Sequence, residues 1–414
     1  MNTKNSPFAN NSFQSIWSKH FIPNSNIQAF KFIKGIAFYK HNWLPNYFNV
    51  GKNLTKGNNY SLNNTSDFKN KTLIIYDVLP HLMDEITVPK NLGVLKSLQY
   101  SGFLINLDQF KNIDDYLLKT FSKNTRMKLR KFSNRLERCF NLSYKMFLGE
   151  IDKTEYNQLF DDFIKLLKKR YSDKQITYNN MLPNEWNFYK EVAYPLILEK
   201  KASLFVIYDN NKPIAITYNY HTEDTVIDAI TVFDIDYSKF NLGYVNNLKL
   251  LDWCFENNIK TLDFSKGYFD YKKRMCTKEY DFEYHIIYDK TSLISSFNAH
   301  LHYKFFEFKA YLRNKGINSR FHKLTYVFKN GKNSKSKKKI QISKLEELPS
   351  LDELMLIEIQ NDFNYNFIKK DINDFLYLVI EPQNKIEIYK FKNQNNVYIL
   401  SCNSTFQQIK IEST

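Results

Sequence analysis

The stretch that most restricts how this chain can fold is DIDYSKFNLGYVNNLKLLDWCFENNIKTLDFSKGYFDYKKR, Asp234 to Arg274. Before it come three runs with period-two or continuous apolar character, Ala202 to Tyr208, Ile214 to His221 and Thr225 to Phe233. The connections Asp209 to Pro213 and Thr222 to Asp224 are of hairpin type, so the three runs predict an antiparallel meander. Ser238 to Gly243 then supplies turn chemistry, and Val245, Leu248, Leu251 and Phe255 recur at helical spacing. Asn257 and Asn258 stop the helix, because asparagine tolerates the left-handed conformation of a helix C-terminus. Thr261 to Phe264 returns as a short strand. A strand that feeds a helix and comes back parallel leaves backbone N–H groups bare at the helix N-terminus, where the dipole favours negative charge. The segment therefore predicts an anion site at a cleft where two parallel strands, joined by a right-handed crossover, diverge.

Around this centre the chain reads as mixed α/β. A basic helical stretch covers residues 121–140, with Leu129, Phe132, Leu136 and Phe140 as its apolar stripe. Its basic face is either solvated or docks an anion. A strand follows at Leu142 to Phe147. Asp152 and Glu155 form a capping box for a helix to about Lys169, and a second helix spans Asn184 to Lys200 with Pro195 interrupting it. Asp281 to Tyr288 is the last strand of this half. Upstream, residues 1–28 are polar and read as loosely ordered, and strands are expected at Ala29 to Tyr39, Leu73 to Tyr76 and Phe103 to Leu107. Lys52 to Asn70 reads as a long loop. Downstream, Leu293 to Asn314 is an aromatic-rich helix expected to pack across the core. Beyond the basic linker Gly331 to Lys339, a helix is expected at Leu351 to Ile359 and strands at Leu376 to Ile380, Lys385 to Phe391 and Asn396 to Cys402. The divisions are 1–140, 141–330, the linker 331–339, and a small α+β unit at 340–414.

A chain of 414 residues exceeds what one core organises, and a net charge of +16 asks for a polyanionic partner. Nucleic acid, a phosphorylated cofactor or nucleotide-linked substrate, and mere solvation all fit the charge. No apolar run approaches the ~18 residues of a membrane span, and MNTKNSPFANN has no apolar core of a signal peptide, so a cytoplasmic protein is expected. Cys139, Cys254, Cys276 and Cys402 are far apart, and His300 and His302 lack a third ligand; no metal site is expected.

Three local motifs carry a family resemblance. Lys123 to Glu137 places serine and lysine before arginines spaced along a helix. Tyr237-Ser238-Lys239-Phe240-Asn241-Leu242-Gly243 is a short turn ending in glycine, and Asp263-Phe264-Ser265-Lys266-Gly267 is followed by Tyr271-Lys272. Together with the element order they resemble the GNAT (Gcn5-related) N-acetyltransferase superfamily. The likeness is to its cellulose-biosynthesis-associated subgroup, itself similar to FemAB-type transferases. Of the superfamily's pyrophosphate turn, Q/R-x-x-G-x-G/A, only Gly243 is kept, with Ser238 first and Asn241 fourth. Asparagine can still hold a left-handed turn at modest cost.

The resemblance implies two GNAT-like units plus the C-terminal one, and a transfer from acetyl-CoA or another acyl-CoA to an amine. The acceptor it suggests is a sugar or envelope-polysaccharide precursor. It puts the donor against Phe233, Ile235, Lys239, Asn241, Leu242, Gly243, Tyr244 and Lys272. Asp228, whose apolar neighbours would raise its pKa, is the candidate base and Tyr271 the candidate acid. Asp234, Asp263 and Lys266 are the candidates for holding the acceptor. Each has a plainer reading: Asp228 on the polar face of a strand, Lys239 in a solvated loop, Tyr271 as packing. Two rival functions stay open, an aminoacyl-tRNA-dependent transfer of FemAB type and non-catalytic nucleic-acid binding on a degenerate GNAT fold.

Overall fold

The computed structural model describes residues 6–40, 45–83, 88–174, 178–315, 339–357, 363–394 and 396–412. Of the residues expected to be loose, 1–5 lie outside the described residues and 6–28 are ordered. Asn10 caps helix α1 (Asn11–Phe21), its side chain accepting the Ser12 N–H at 2.7 Å. Phe13 and Trp17, one helical turn apart, are buried, and the Phe13 ring meets Phe188 edge-on at 5.6 Å. Those two aromatics outweigh the polar composition around them, which is why the expectation of a loose segment fails.

Short strands follow: β1 (Ile27–Gln28), β2 (Ile33–Lys34), β3 (Phe38–Lys40), β4 (Asn46–Asn49) and β5 (Ser61–Leu62). The strand expected over Ala29 to Tyr39 is thus split in two. β6 (Thr72–Val78) is buried at every position, Asp77 included, and β7 (Leu92–Asn106) extends the expected strand at Phe103 by eleven residues toward the N-terminus. Helices α2 (Ile113–Thr120) and α3 (Lys123–Cys139) lead to β8 (Leu142–Phe147), then α4 (Lys153–Lys174) and α5 (Pro183–Leu198). Asp152 caps α4 by accepting the N–H of Thr154 and Glu155. The meander is β9 (Ala202–Asp209), β10 (Lys212–His221) and β11 (Thr225–Phe233). After it come α6 (Leu242–Glu256), β12 (Thr261–Lys266), α7 (Asp270–Met275), β13 (Lys278–Asp289) and α8 (Leu293–Asn314). α8 packs across the sheet, its Phe306 ring stacked on Tyr284 at 4.0 Å.

Eleven strands join in one mixed sheet, in the order β1-β3-β4-β6-β13-β7-β12-β11-β10-β9-β8. The two halves of the chain therefore share a sheet rather than each closing its own. β7 is the reason: it lies antiparallel between β12 and β13, pairing Ile105 with Leu262 and Leu95 with Ile286. β11 and β12 are parallel neighbours, as the strand, turn, helix, strand order requires.

The C-terminal residues build a second sheet from β14 (Lys339–Leu345), β15 (Leu354–Leu356), β16 (Glu387–Phe391), β17 (Val397–Cys402) and β18 (Thr405–Glu412), in the order β14-β18-β17-β16-β15. Two expectations are corrected. Leu376 to Ile380 is not a strand but the end of helix α9 (Lys369–Val379), whose Ile372, Phe375 and Leu376 fall on one face at helical spacing. Leu351–Glu353 is a single 3-10 turn running into β15; residues 358 and 359 of the expected helix lie outside the described residues, as does the linker up to 338. The sheet is separate, yet its core is not. α9 puts Ile372, Phe375 and Leu376 into the same apolar cluster as Leu129, Leu136, Phe140, Tyr237 and Phe240. Among the described residues no helix is long and apolar enough to cross a membrane.

Candidate functional site

β11 and β12 pair at only three positions, Thr225 with Thr261, Val226 with Leu262 and Ile227 with Asp263. Beyond them the strands part, and both have a local cause. On β11 the register to β10 slips, since Asn219 faces Asp228 while Tyr218 faces Ile230, so Ala229 has no partner and forms a β-bulge. On β12 Ser265 adopts a left-handed backbone (φ 58°) and Gly267 follows at φ 104°, turning the strand away. The Asp263 carboxylate holds that bend, accepting the Ser265 N–H at 2.6 Å and the Tyr280 hydroxyl at 2.7 and 2.8 Å. Lys272 caps the same strand end by donating to the carbonyls of Phe264, Ser265 and Lys266.

The open end of the V is filled by the N-terminus of α6. Asn241, the residue before the helix, is left-handed at φ 56°, ψ 42° and makes no side-chain cap. Its carbonyl accepts the N–H of Tyr244 and of Val245. The next residues of the helix, Gly243 and Tyr244, stand at the mouth of the V. A helix N-terminus without a side-chain cap favours an anion through its dipole and its first N–H groups. Gly243 itself is not left-handed. It is required by Phe233, whose Cε1 lies 2.6 Å from where a β-carbon would stand.

The V encloses a cavity of about 410 Å³. β11 contributes Asp228 to Thr231 and Phe233, β12 contributes Phe264 to Lys266, and α6 with its preceding residue contributes Asn241, Gly243, Tyr244 and Asn247. α7 adds Tyr271 and Lys272. The far wall comes from Arg170 and Tyr171 at the end of α4, from Tyr178 and Asn180, and from Asn53 and Lys56 in the N-terminal half. Tyr171 and Tyr178 stack at 4.3 Å, and the Arg170 guanidinium lies 4.1 Å over the Phe233 ring while donating to the Thr231 carbonyl.

Burial raises the pKa of Asp228, against the opposing pull of Lys272, a 2.8 Å hydrogen bond from Thr231, Lys56 and Arg170. The Tyr271 phenol is pushed well above its ordinary value, first by burial and then by the Asp228 carboxylate, and among the described residues its hydroxyl has no partner. Burial lowers Lys272, and the charges of Asp228 and Asp263 oppose that.

Asp228, Phe233, Asn241, Gly243, Tyr244, Lys266, Tyr271 and Lys272, eight of the residues singled out from the sequence, meet at this cavity. Five do not line it. Leu242 points its side chain into the core, leaving only its backbone for a ligand, and Lys239 is exposed on the preceding 3-10 turn. Ile235 is half-buried on that turn. Asp263 is spent on the β12 bend. Asp234 faces a different cavity, of about 330 Å³, where it and Asp236 both bind Lys169. Lys266, though lining the main cavity, is paired with buried Asp77. Arg170, Tyr178, Lys56 and Thr231 are wall residues that sequence reasoning missed. All but Thr231 come from segments distant in the chain, and no local spacing marks them.

Residues 123–273 match the family described as acetyltransferase (GNAT) domain. None of the curated proteins matches the chain at a significant level. Among solved structures, a conserved protein of unknown function from Bacteroides thetaiotaomicron is similar at TM-score 0.44 and 11% identity, over 69% of this chain and 92% of that one. FemX is similar at TM-score 0.44 and 11% identity, over 66% of this chain and 90% of its own. L-PGS from Bacillus licheniformis is similar at TM-score 0.40 and 13% identity, over 70% and 90%. The fold that carries the cavity is GNAT-like.

Proposed function

We propose that this cleft binds an acyl-CoA and transfers its acyl group to an amine. The observation that carries the reading is the set of backbone N–H groups at the N-terminus of α6, which has no side-chain cap and whose Gly243 and Tyr244 line the V between β11 and β12. They suit a diphosphate, and the V beside them suits the narrow thiol arm of the donor. The donor would supply a thioester carbonyl, and attack by the amine nitrogen forms the amide bond as the carbon–sulfur bond breaks.

The chain's own groups would divide the work. The bulge at Ala229 frees strand backbone to donate to the carbonyl oxygen as it gains charge. Asp228, buried and with a raised pKa, takes the proton from the acceptor ammonium. Tyr271, with its hydroxyl free, donates a hydrogen bond to the departing sulfur. Its raised pKa makes full proton transfer to a thiolate of pKa about 8.5 uphill, so water completes that step. Lys272 and Asp263 act as positioning residues for β12. The acceptor suggested by the sequence resemblance, an amine of a sugar or envelope-polysaccharide precursor, stays part of this proposal.

Calorimetry with CoA and acetyl-CoA, followed by thiol release in the presence of amines, tests the reading. Absence of CoA binding to the folded protein would sink it. A transfer from aminoacyl-tRNA would use the same base with an ester in place of the thioester. Exposed Lys123, Lys128 and Lys131 on α3 favour that second reading. It predicts binding to aminoacyl-tRNA that weakens steeply with salt and no response to CoA.

A further inference from the structure

Lys56 comes from the long N-terminal loop and reaches the wall of the cleft. It is only 9% exposed, and among the described residues it has no hydrogen-bond acceptor and no carboxylate oxygen within 4.0 Å. The carboxylates that influence it do so from further away, and two of them are engaged elsewhere. Asp77 is taken by Lys266, by the Thr55 hydroxyl at 2.9 Å and by the Gln99 amide at 2.7 Å. Asp228 accepts from Thr231. Glu185 acts on Lys56 only through space, and its own pKa is raised by burial. Lys266 and Lys272 add positive charge nearby. Burying an ammonium with no counterion is costly, so the amine gives up its proton more readily until an anion completes it.

We infer that the acceptor is an anionic amine, carrying a carboxylate or phosphate that pairs with the Lys56 ammonium while its amino group faces Asp228. The inference rests on the acyl-transfer reading for the amine, and on Lys56 alone for the anion. Asp228 and Lys56 supply one charge of each sign in a single cavity, the complement of a zwitterion, while the donor's phosphates are served separately at α6. Arg170 gives a second cation on the same wall, held by the Phe233 ring and the Thr231 carbonyl with donors left over. In the free protein burial and the neighbouring lysines hold the Lys56 amine down at about 8. A bound oxyanion would restore it toward the ordinary lysine range.

The test is calorimetry on the full chain, with and without CoA, using two matched pairs of probes: ethanolamine against O-phosphoethanolamine, and β-alaninamide against β-alanine. At least one anionic member is expected to bind roughly tenfold more tightly than its neutral partner, the scale of one hydrogen bond between charged groups. Lys56→Met should bring that advantage below about twofold, and Lys56→Arg should keep most of it, with CoA affinity unchanged in both. An advantage confined to the phosphate pair identifies a phosphorylated amine; one confined to β-alanine identifies an amino acid or peptide terminus. No advantage in either pair, failure of all four probes to bind included, overturns the inference, as does an advantage that survives Lys56→Met. Loss of CoA binding in the same protein would strike the acyl-transfer reading and leave the anion preference standing.

Discussion

The edge of the Phe233 ring occupies the space that a side chain on Gly243 would need, with a closest approach of 2.6 Å to the missing β-carbon, and Arg170 sits over the same ring at 4.1 Å. Glycine is thus demanded by a neighbour in the protein, and the turn's geometry is set instead by left-handed Asn241.

Gly243→Ala should push the ring out of place, disturb the α6 N-terminus and weaken CoA binding by ~1–3 kcal/mol, the usual scale of overpacking. The double variant Gly243→Ala with Phe233→Leu, which removes the ring edge, should recover most of that loss. Calorimetry on the three proteins decides; if the double variant stays as weak as the single, close approach of the ligand rather than the ring is what requires glycine.

Asp228→Asn keeps size and removes the proposed base, so turnover should drop by ~10²–10⁴ with CoA affinity nearly intact. The base works only when deprotonated, so wild-type turnover is lost as pH falls through the folded-state pKa of Asp228. Burial places that limb above the ordinary value of 3.8. A pH–rate profile whose acid limb is the same in the residual activity of the variant would assign the limb to another group.

Tyr271→Phe leaves the ring and deletes the unpartnered hydroxyl. Turnover should fall by about two to three orders of magnitude, the range for one well-placed donor, with no change in the shape of the pH profile near neutrality. Unchanged turnover would return Tyr271 to a packing role.

Asp263 predicts a stability effect. Burial lifts its pKa from 3.8 to about 6. The folded protein thus holds this proton more tightly than the unfolded chain does. The stabilisation is fully present below about pH 4 and is lost as pH rises through about 6, up to ~3 kcal/mol. Asp263→Asn retains an acceptor for Tyr280 and Ser265 and cannot titrate. The difference between urea midpoints of wild type and variant should therefore shift in favour of the variant across that window, and a constant difference would place the Asp263 pKa at its ordinary value.

Removing the C-terminal unit should not be neutral. The Tyr377 ring meets Phe240 edge-on at 5.2 Å, its carbonyl accepts from Arg135 at 2.8 Å, and Asn373 donates to the Asp236 carbonyl. A chain ending at Lys315 would expose Phe240 and Leu136 and should lose at least ~3 kcal/mol, counting only two large side chains uncovered. A truncated protein with the full-length urea midpoint would show that the unit only rests on the surface.

What the sequence made legible follows from how local each cause is. The meander, the α6 helix and the parallel return of β12 are written in spacing within some sixty residues, and so were the Asn241 turn and the place of Asp228, Tyr244 and Tyr271 along it. Asp234 and Asp263 were assigned to the cleft because they flank its motifs, but a carboxylate's partner is a matter of three dimensions. Lys169 claims the first, and the Ser265 N–H with Tyr280 the second. Lys56 and Arg170 carry no sequence signal because they reach the cleft from other elements. Helix α9 was mistaken for a strand because Phe375 to Ile380 is apolar on too short a run for period to decide.

The placement of β7 also has a consequence for synthesis. β6 and β7 are consecutive in the chain yet not paired; β13 stands between them, and β12 covers the other edge of β7. Translation of roughly 170 residues separates the end of β7 from the start of β13, on the order of ten to thirty seconds at ribosomal speeds. Through that interval a long apolar strand waits with both edges open. The nascent chain cannot settle one half before the other exists, so its yield in cells should depend on what shields β7 during that wait.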